Sequence, residues 1–270
     1  MKQFKNISIR KKILISMLVF TLLPIILVAA VATTIPYLTM RDQLIYDHRM
    51  SSGWLQDRLS LDVNTILDHF YDFEVDKAVK NDIYQWCVKG EPLNYAAQWQ
   101  IITLMNTLIS MDSRINSIEI HNLSDDSVLI AARSGAHLDI RGDRLDRWFA
   151  RGTGLQSNLV FLREENELLA IHQIHRFDDK LPIAVVVARF RPYQLQNVLD
   201  EIKTVPEETI LVFNDQNELL EADYGTTWDI GAETVEVVRS ELASGERKEG
   251  SYHNQFWFYR SVDNGKMQVL

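Results

Sequence analysis

The chain has 270 residues, with 37 acidic against 28 basic side chains and a formal net charge of −9 at pH 7. Five of the basic residues lie within the first twelve positions, so the remainder is more acidic still, which does not suit nucleic acid or an anionic membrane surface. Cys87 is the one cysteine, which excludes an intrachain disulfide and a thiolate metal cluster.

The 28 residues from Ile13 to Met40 contain no Asp, Glu, Lys, Arg or His. As a helix they exceed the length needed to cross a hydrocarbon core of about 30 Å, and Pro24 and Pro36 are tolerated as kinks in a membrane helix. The basic residues before this run favour a cytoplasmic N-terminus. The sequence therefore predicts a cytoplasmic tail at 1–12, a transmembrane helix at 13–38 and an extracytoplasmic remainder.

A cleaved signal peptide is the alternative, because Ala30-Val31-Ala32 has the A-x-A form of a cleavage site. The apolar stretch before that site is longer than the usual 7–15 residues, and the chain stays apolar to Leu38. Both observations favour a retained anchor.

Helical spacing of apolar residues continues after the span and predicts one long helix over Arg41–Val79. Its apolar positions are Leu44, Leu55, Leu59, Val63, Ile66, Phe70 and Phe73. A second helix is predicted over Tyr95–Asp112, with Trp99 and Met105 among its inward residues.

The period then changes to two, which indicates strands and hairpins. The predicted elements are the hairpin Ile118–Ala132, a helix Arg144–Ala150, the hairpin Leu159–Arg176, a central strand Ile183–Ala188, a helix from Arg191 to Ile202, the hairpin Thr209–Glu221, a helix Ala232–Ala243, and strands Gly250–Arg260 and Met267–Leu270. This order predicts an α+β fold with two sheet-and-helix modules, 39–205 and 206–270. The second module ends inside a strand and is expected to be truncated.

Three stretches carry a resemblance to a known family. They are the entry to the span (Ser8–Ser16, then Leu22-Leu23-Pro24), Asp146–Phe149, and Val185–Tyr193. With these the chain resembles the double-Cache sensor region of YesM-type bacterial sensor histidine kinases. The resemblance implies two PAS-like modules on a long helix, of which the membrane-distal one, 39–205, binds a small molecule.

The same resemblance implies a second span, a HAMP linker and a kinase after the sensor, and a response regulator that is reached only through that kinase. No second apolar run of 18 residues follows Leu38. The chain is therefore expected to be the input half of such a receptor. A related arrangement that ends in a helix-turn-helix regulator remains open.

No motif for catalysis stands out. His172 and His175 are three apart on a predicted strand, so their rings are expected on opposite faces, which does not suit a metal. Asp125-Asp126 and Asp178-Asp179 fall in predicted turns, where Asp serves turn chemistry. With no phosphate loop or nucleophile elbow in the sequence, we expect a chain that is not an enzyme by itself and needs no cofactor or metal.

The residues expected to contact a ligand are Arg144, Arg147, Trp148, Phe149, Arg163, His172 and Arg189. In related amino-acid sensors an Asp stands at the place of Arg189, and the motif R-x-W-Y replaces Arg147-Trp148-Phe149. Because Arg cannot accept a hydrogen bond from an ammonium group, an organic acid or a sugar is expected instead. The alternative is that Arg189 pairs with an acid such as Asp178 and binds nothing.

The function expected from the sequence is extracytoplasmic ligand sensing by a membrane-anchored homodimer, with Leu44 as a dimer contact. Ligand binding would shift the long helix between two settings. Two rivals remain open: an anchored interaction module without a small ligand, and an extracytoplasmic enzyme such as a hydrolase.

Overall fold

The computed structural model describes residues 9–88, 95–125, 127–140, 159–164, 166–176, 181–203, 208–223, 249–252, 255–262 and 267–270. The chain divides into two compact units, Met1–Met50 and Ser51–Leu270. The predicted α+β fold class is confirmed, since a long helix with an apolar N-terminal part precedes antiparallel sheets.

The helices of the described residues are α1 (Ile9–Val75), α2 (Lys77–Cys87), α3 (Tyr95–Met111) and α4 (Gln194–Ile202). Helix α1 ends four residues before the predicted Val79. The reason is Asp76, whose carboxylate accepts hydrogen bonds from the backbone N–H groups of Ala78 and Val79 and so caps a new helix. The prediction for α3 is confirmed to within a residue, but Trp99 is exposed rather than inward.

The described part of the first unit lies entirely within α1. This helix is long and apolar enough to cross a membrane, and residues 13–40 are exposed along all of their length. The hydroxyls of Thr21, Thr33 and Thr39 each donate to a carbonyl four residues earlier, at 2.9–3.0 Å. These polar groups therefore find partners on their own helix.

The second unit contains a six-stranded antiparallel sheet in the order β3-β2-β1-β6-β5-β4. Its strands are β1 (Ile115–Asn122), β2 (Ser127–Ala132), β3 (Gly135–Ile140), β4 (Leu159–Glu164), β5 (Glu167–His175) and β6 (Pro182–Phe190). The two hairpins predicted for this part of the chain are present, and β6 is central as predicted, between β1 and β5. Strand β3 was not predicted.

The two faces of this sheet differ in their surroundings. Alternate residues, including Ile120, Phe161 and Val186, belong to the hydrophobic core that contains the buried residues of α1, and we name this side the α1 face. The residues between them form the far face. Its members are Val160, Leu162, Leu169, Ile171, Val185 and Val187, together with Glu119, His121, Glu164 and Arg189.

A second sheet has the order β11-β12-β7-β8, and β9 and β10 pair separately. These strands are β7 (Ile210–Asn214), β8 (Leu219–Asp223), β9 (Glu249–Tyr252), β10 (Gln255–Phe258), β11 (Arg260–Val262) and β12 (Met267–Val269). The single strand predicted over Gly250–Arg260 is thus a hairpin followed by the start of β11. The helices predicted at Arg144–Ala150 and Ala232–Ala243 lie outside the described residues.

One hydrophobic core runs through the second unit. It includes six of the seven predicted apolar positions of the long helix, those from Leu55 to Phe73, and residues of both sheets. The sheets are also tied by polar contacts. Asn214, the fully buried last residue of β7, donates to the carbonyl of Phe161 on β4 at 3.0 Å. This hydrogen bond positions β4 against the second sheet.

Candidate ligand site

A buried group of charged residues lies on the far face of the six-stranded sheet. Glu119 and His121 on β1 are 5% and 2% exposed, and Arg189 on the neighbouring strand β6 is 9% exposed. Strand alternation places all three on the same side as the apolar residues of the far face. Charged groups are rarely buried without close partners, so these contacts decide what the group can do.

Arg189 is the centre of the group, because it contacts three carboxylates. Its Nε donates to Glu119 at 2.6 Å, and its Nη1 donates to Glu164 at 3.2 Å and Glu167 at 3.3 Å. Glu164 and Glu167 are paired across the end of the β4–β5 hairpin and are more exposed than Glu119. We name these four residues, together with His121, the Arg189 cluster.

Glu119 is ionised at neutral pH. Burial raises the pKa of its carboxyl, but the hydrogen bond from His121 and the adjacent Arg189 guanidinium outweigh burial and bring the pKa from 4.5 to about 2. An ionised carboxylate only accepts hydrogen bonds, so His121 Nε2, at 3.0 Å from Glu119, is the donor. Burial lowers the pKa of Arg189, and its contacts with Glu119 and Glu164 raise it further than burial lowers it.

Among the described residues, the charges of the Arg189 cluster do not balance. One guanidinium faces three carboxylates, which leaves an excess of negative charge among these four side chains. The sequence also allowed the alternative that Arg189 pairs with acidic side chains, and the observed contacts of Arg189 agree with that alternative. The acids are Glu119, Glu164 and Glu167, and Asp178 lies outside the described residues.

The structure separates two of the other predicted ligand residues, Arg163 and His172, from Arg189. Arg163 on β4 donates to Glu221 at 2.7 Å and to the carbonyl of Leu220 on β8, so it contacts the second sheet. His172 lies on the α1 face, stacked on Phe70 with ring centroids 5.4 Å apart. Neither side chain is brought to the Arg189 cluster. Four further predicted residues lie outside the described residues: Arg144, Arg147, Trp148 and Phe149.

The two histidines expected on opposite faces, His172 and His175, approach the same carboxylate. The pairing of β5 with β6 shifts register between Ile174 and His175, where the extra residue, Ile183, lies on β6. Each ring has a nitrogen within 4.0 Å of Glu74 Oε1 on α1. The His172 imidazole holds the pKa of Glu74 below its usual range, although partial burial acts to raise it.

Other predicted features have local roles. Asp125 accepts hydrogen bonds from the backbone N–H and hydroxyl of Ser127, which is the turn chemistry expected of it. Asp126 and Asp178-Asp179 lie outside the described residues. Within the part of the chain that is described, no three His, Cys, Asp or Glu side chains are placed to hold a metal ion. The predicted dimer contact Leu44 is about half exposed on α1.

The sequence did not reveal the carboxylates of the cluster. Glu119 and His121 alternate with Ile118 and Ile120, and this pattern predicts a strand with one solvent-exposed face. Glu119 meets Arg189 because β1 pairs with β6, and strand order is not visible in alternation. One signal in the sequence could have indicated the carboxylates. On β6, Val185, Val187 and Arg189 alternate on one face, and a cation on a buried face needs acidic partners nearby.

Comparison with solved structures finds partial structural similarity at low sequence identity. The sensory domain of the Campylobacter jejuni chemoreceptor Tlp3, with isoleucine bound, is 11% identical over 83% of this chain and 93% of that one, with a TM-score of 0.47. The extracellular domain of vpHK1S-Z8, described as a histidine kinase, is 12% identical over 84% and 90%, also with a TM-score of 0.47. A domain described as belonging to a sensory box/GGDEF family protein from Vibrio parahaemolyticus is 10% identical over 82% and 92%, with a TM-score of 0.49.

No protein-family model matches the chain, and no curated protein matches it in sequence. At such identities and TM-scores the solved structures assign no function to this chain.

Proposed function

We propose that this chain is the ligand-sensing, extracytoplasmic region of a membrane-anchored signal-transduction receptor, and that a small molecule binds at the Arg189 cluster. The observation that carries the proposal is the burial of Arg189 and Glu119 within an apolar sheet face. Burying an ion pair contributes little to stability compared with apolar residues of similar volume. Groups with strongly shifted pKa values, such as Glu119, gather at functional sites.

Membrane anchoring is supported by α1. Its segment 13–40 carries no charged side chain, and the hydroxyls of Thr21, Thr33 and Thr39 are satisfied by the helix itself, as a hydrocarbon environment requires. The basic residues that precede it support a cytoplasmic N-terminus, which puts the sheets outside the cytoplasm.

A finer proposal rests on the resemblance in sequence. The receptor is a YesM-type sensor histidine kinase with double-Cache architecture, which acts as a homodimer and reaches its response regulator through a kinase part. This chain itself does no catalysis. A membrane-anchored helix-turn-helix regulator is the alternative for the output, and an interaction module without a small ligand is the alternative for the input.

The charge of the Arg189 cluster narrows the ligand class. An organic acid would have to displace a glutamate from Arg189 or meet two carboxylates in excess of the one guanidinium. A hydroxyl group can donate to a glutamate and accept from Arg189 at the same time. Of the two classes expected from the sequence, a hydroxyl-rich molecule such as a sugar is therefore the better fit.

Two experiments test the proposal in the full chain. The first places an accessible thiol in the second unit by Asn64→Cys, an exposed position on α1, while the native Cys87 is buried. Labelling by a membrane-impermeant maleimide on intact cells is expected. Labelling only after lysis would place the sheets in the cytoplasm and contradict the proposal.

The second experiment is a thermal-shift screen in lipid nanodiscs with sugars, polyols, organic acids and amino acids. Stabilisation by hydroxyl-rich compounds is expected, because a ligand that binds the folded state raises its stability. Stabilisation by organic acids or amino acids would overturn the ligand class. Stabilisation by none of the four groups would favour the interaction module.

A further inference from the structure

The turn between β4 and β5 is held from two sides. On one side, Arg189 Nη1 donates to Glu164 and Glu167, which flank the turn. On the other side, the side-chain amide of Asn166 donates to the hydroxyl of Tyr193 at 3.2 Å, and the backbone carbonyl of Asn166 accepts from the backbone N–H of Tyr193 at 3.3 Å. The Arg189 cluster and Tyr193 thus contact the same turn.

Tyr193 has a strained backbone at the start of α4. Its φ of 60° lies in the left-handed region, which costs free energy for a residue with a Cβ atom. The carbonyl of Tyr193 accepts from the N–H of Asn197 at 2.9 Å, within the first turn of α4. The contacts with Asn166 therefore hold both a strained residue and the start of a helix.

Helix α4 reaches α1 at its other end. Leu195, Val198 and Leu199 pack in the core of the second unit, and the carbonyl of Ile202 accepts from the hydroxyl of Ser51 on α1 at 3.3 Å. Contacts therefore continue without a gap from Arg189 through the turn, Tyr193 and α4 to Ser51.

We propose that α4 transmits the state of the Arg189 cluster to α1. When a ligand draws Arg189 away from Glu164 and Glu167, the turn releases Tyr193, α4 shifts, and its contact with Ser51 changes. A ligand does this only by binding the released state more tightly than the held state. The ligand step rests on the proposed function, whereas the coupling is a property of the fold and is measurable without a ligand.

The test is hydrogen exchange of the full chain in lipid nanodiscs. The double variant Arg189→Gln/Glu119→Gln removes both buried charges, so that neither remains unpaired. We expect it to speed amide exchange in the first turn of α4 and around Ser51 by about two- to tenfold, the factor that corresponds to one hydrogen bond. Exchange in α3 should stay unchanged, which separates local release from global unfolding.

The coupling is then tested with the side-chain contact of the turn removed. In an Asn166→Ala background the hydrogen bond to the Tyr193 hydroxyl is lost and the backbone one remains, so adding Arg189→Gln/Glu119→Gln is expected to speed exchange in α4 by less than it does in the wild type. An equal increase with and without Asn166 would overturn the proposal, as would unchanged α4 exchange in the double variant alone.

A milder pair of variants covers the case in which the double variant fails to fold. Tyr193→Phe removes only the hydroxyl that Asn166 contacts and should speed exchange in α4, while Tyr95→Phe, an exposed tyrosine on α3, should not. Equal exchange in these two variants would also overturn the proposal. Failure of the ligand screen leaves all of these results unaffected.

Discussion

The two faces of the six-stranded sheet differ in the side chains that they bury. The α1 face is filled by apolar side chains such as Ile120, Phe161 and Val186, which pack against a helix in one continuous core. The far face places Glu119, His121 and Arg189 among apolar neighbours. Packing alone accounts for the first face. The second keeps a paired charge group that stability does not require, so its reason is expected to be binding.

The largest effect is expected on the α1 face. Phe161→Ala removes a fully buried aromatic ring and should lower the free energy of unfolding by about 3–5 kcal/mol, because it leaves a cavity in the core. Urea denaturation of the second unit measures the change. A loss below about 1 kcal/mol would mean that this face is not tightly packed.

The far face can be made to resemble the α1 face by replacing its charges. Arg189→Met leaves Glu119 buried without its cation and should cost about 3 kcal/mol, near the lower end for a broken buried pair. Arg189→Met combined with Glu119→Leu should recover most of that loss in the same urea experiment. A double variant as unstable as Arg189→Met would show that the ion pair itself stabilises the fold.

Acid should weaken the far face through Glu119. The folded pKa of about 2 lies below the ordinary 4.5, so the stability that this group contributes is present above pH 4.5 and is lost as pH falls towards 2. Between pH 6 and pH 3 the wild type should lose about 2 kcal/mol more than Glu119→Gln, which cannot take up the proton. Parallel pH profiles for the two proteins would contradict the assignment.

A smaller effect is expected at Arg163, which the sequence placed with Arg189 in one site. It pairs with Glu221 at a partly exposed position, so Arg163→Ala should cost about 1 kcal/mol or less and leave binding of any ligand from the thermal-shift screen unchanged. Glu221→Gln is the matched control. If the ligand no longer stabilised Arg163→Ala but still stabilised Glu221→Gln, Arg163 would be a ligand-binding residue and this assignment would be wrong.

The smallest change concerns Leu44, where we expect a contact between two copies. Leu44→Cys in membranes should form a disulfide under mild oxidant, with Gln43→Cys, its exposed neighbour on α1, as the control on another side of the helix. Folding stability should not change. Absence of cross-linking at position 44 and one turn away from it would count against this contact.

The sequence predicted the periodic parts of the fold well and the site only in part. Apolar spacing located the buried stripe of α1, the hairpins and the central strand β6, because burial on one face leaves a period in the sequence. It missed the break at Asp76, which depends on one side-chain cap, and the approach of both His172 and His175 to Glu74 on α1. Arg189 was singled out, but Glu119, Glu164 and Glu167 were not, because strand order and the hairpin end bring them to it.

The most direct test of ligand sensing at the far face is a calorimetric titration of the full chain in nanodiscs. The strongest stabiliser from the thermal-shift screen is titrated into the wild type and into Arg189→Gln/Glu119→Gln. We expect affinity to fall at least about tenfold in the variant, since charged hydrogen bonds to the ligand are lost. Equal affinity in the two proteins would show that the ligand binds elsewhere and would contradict the proposed site.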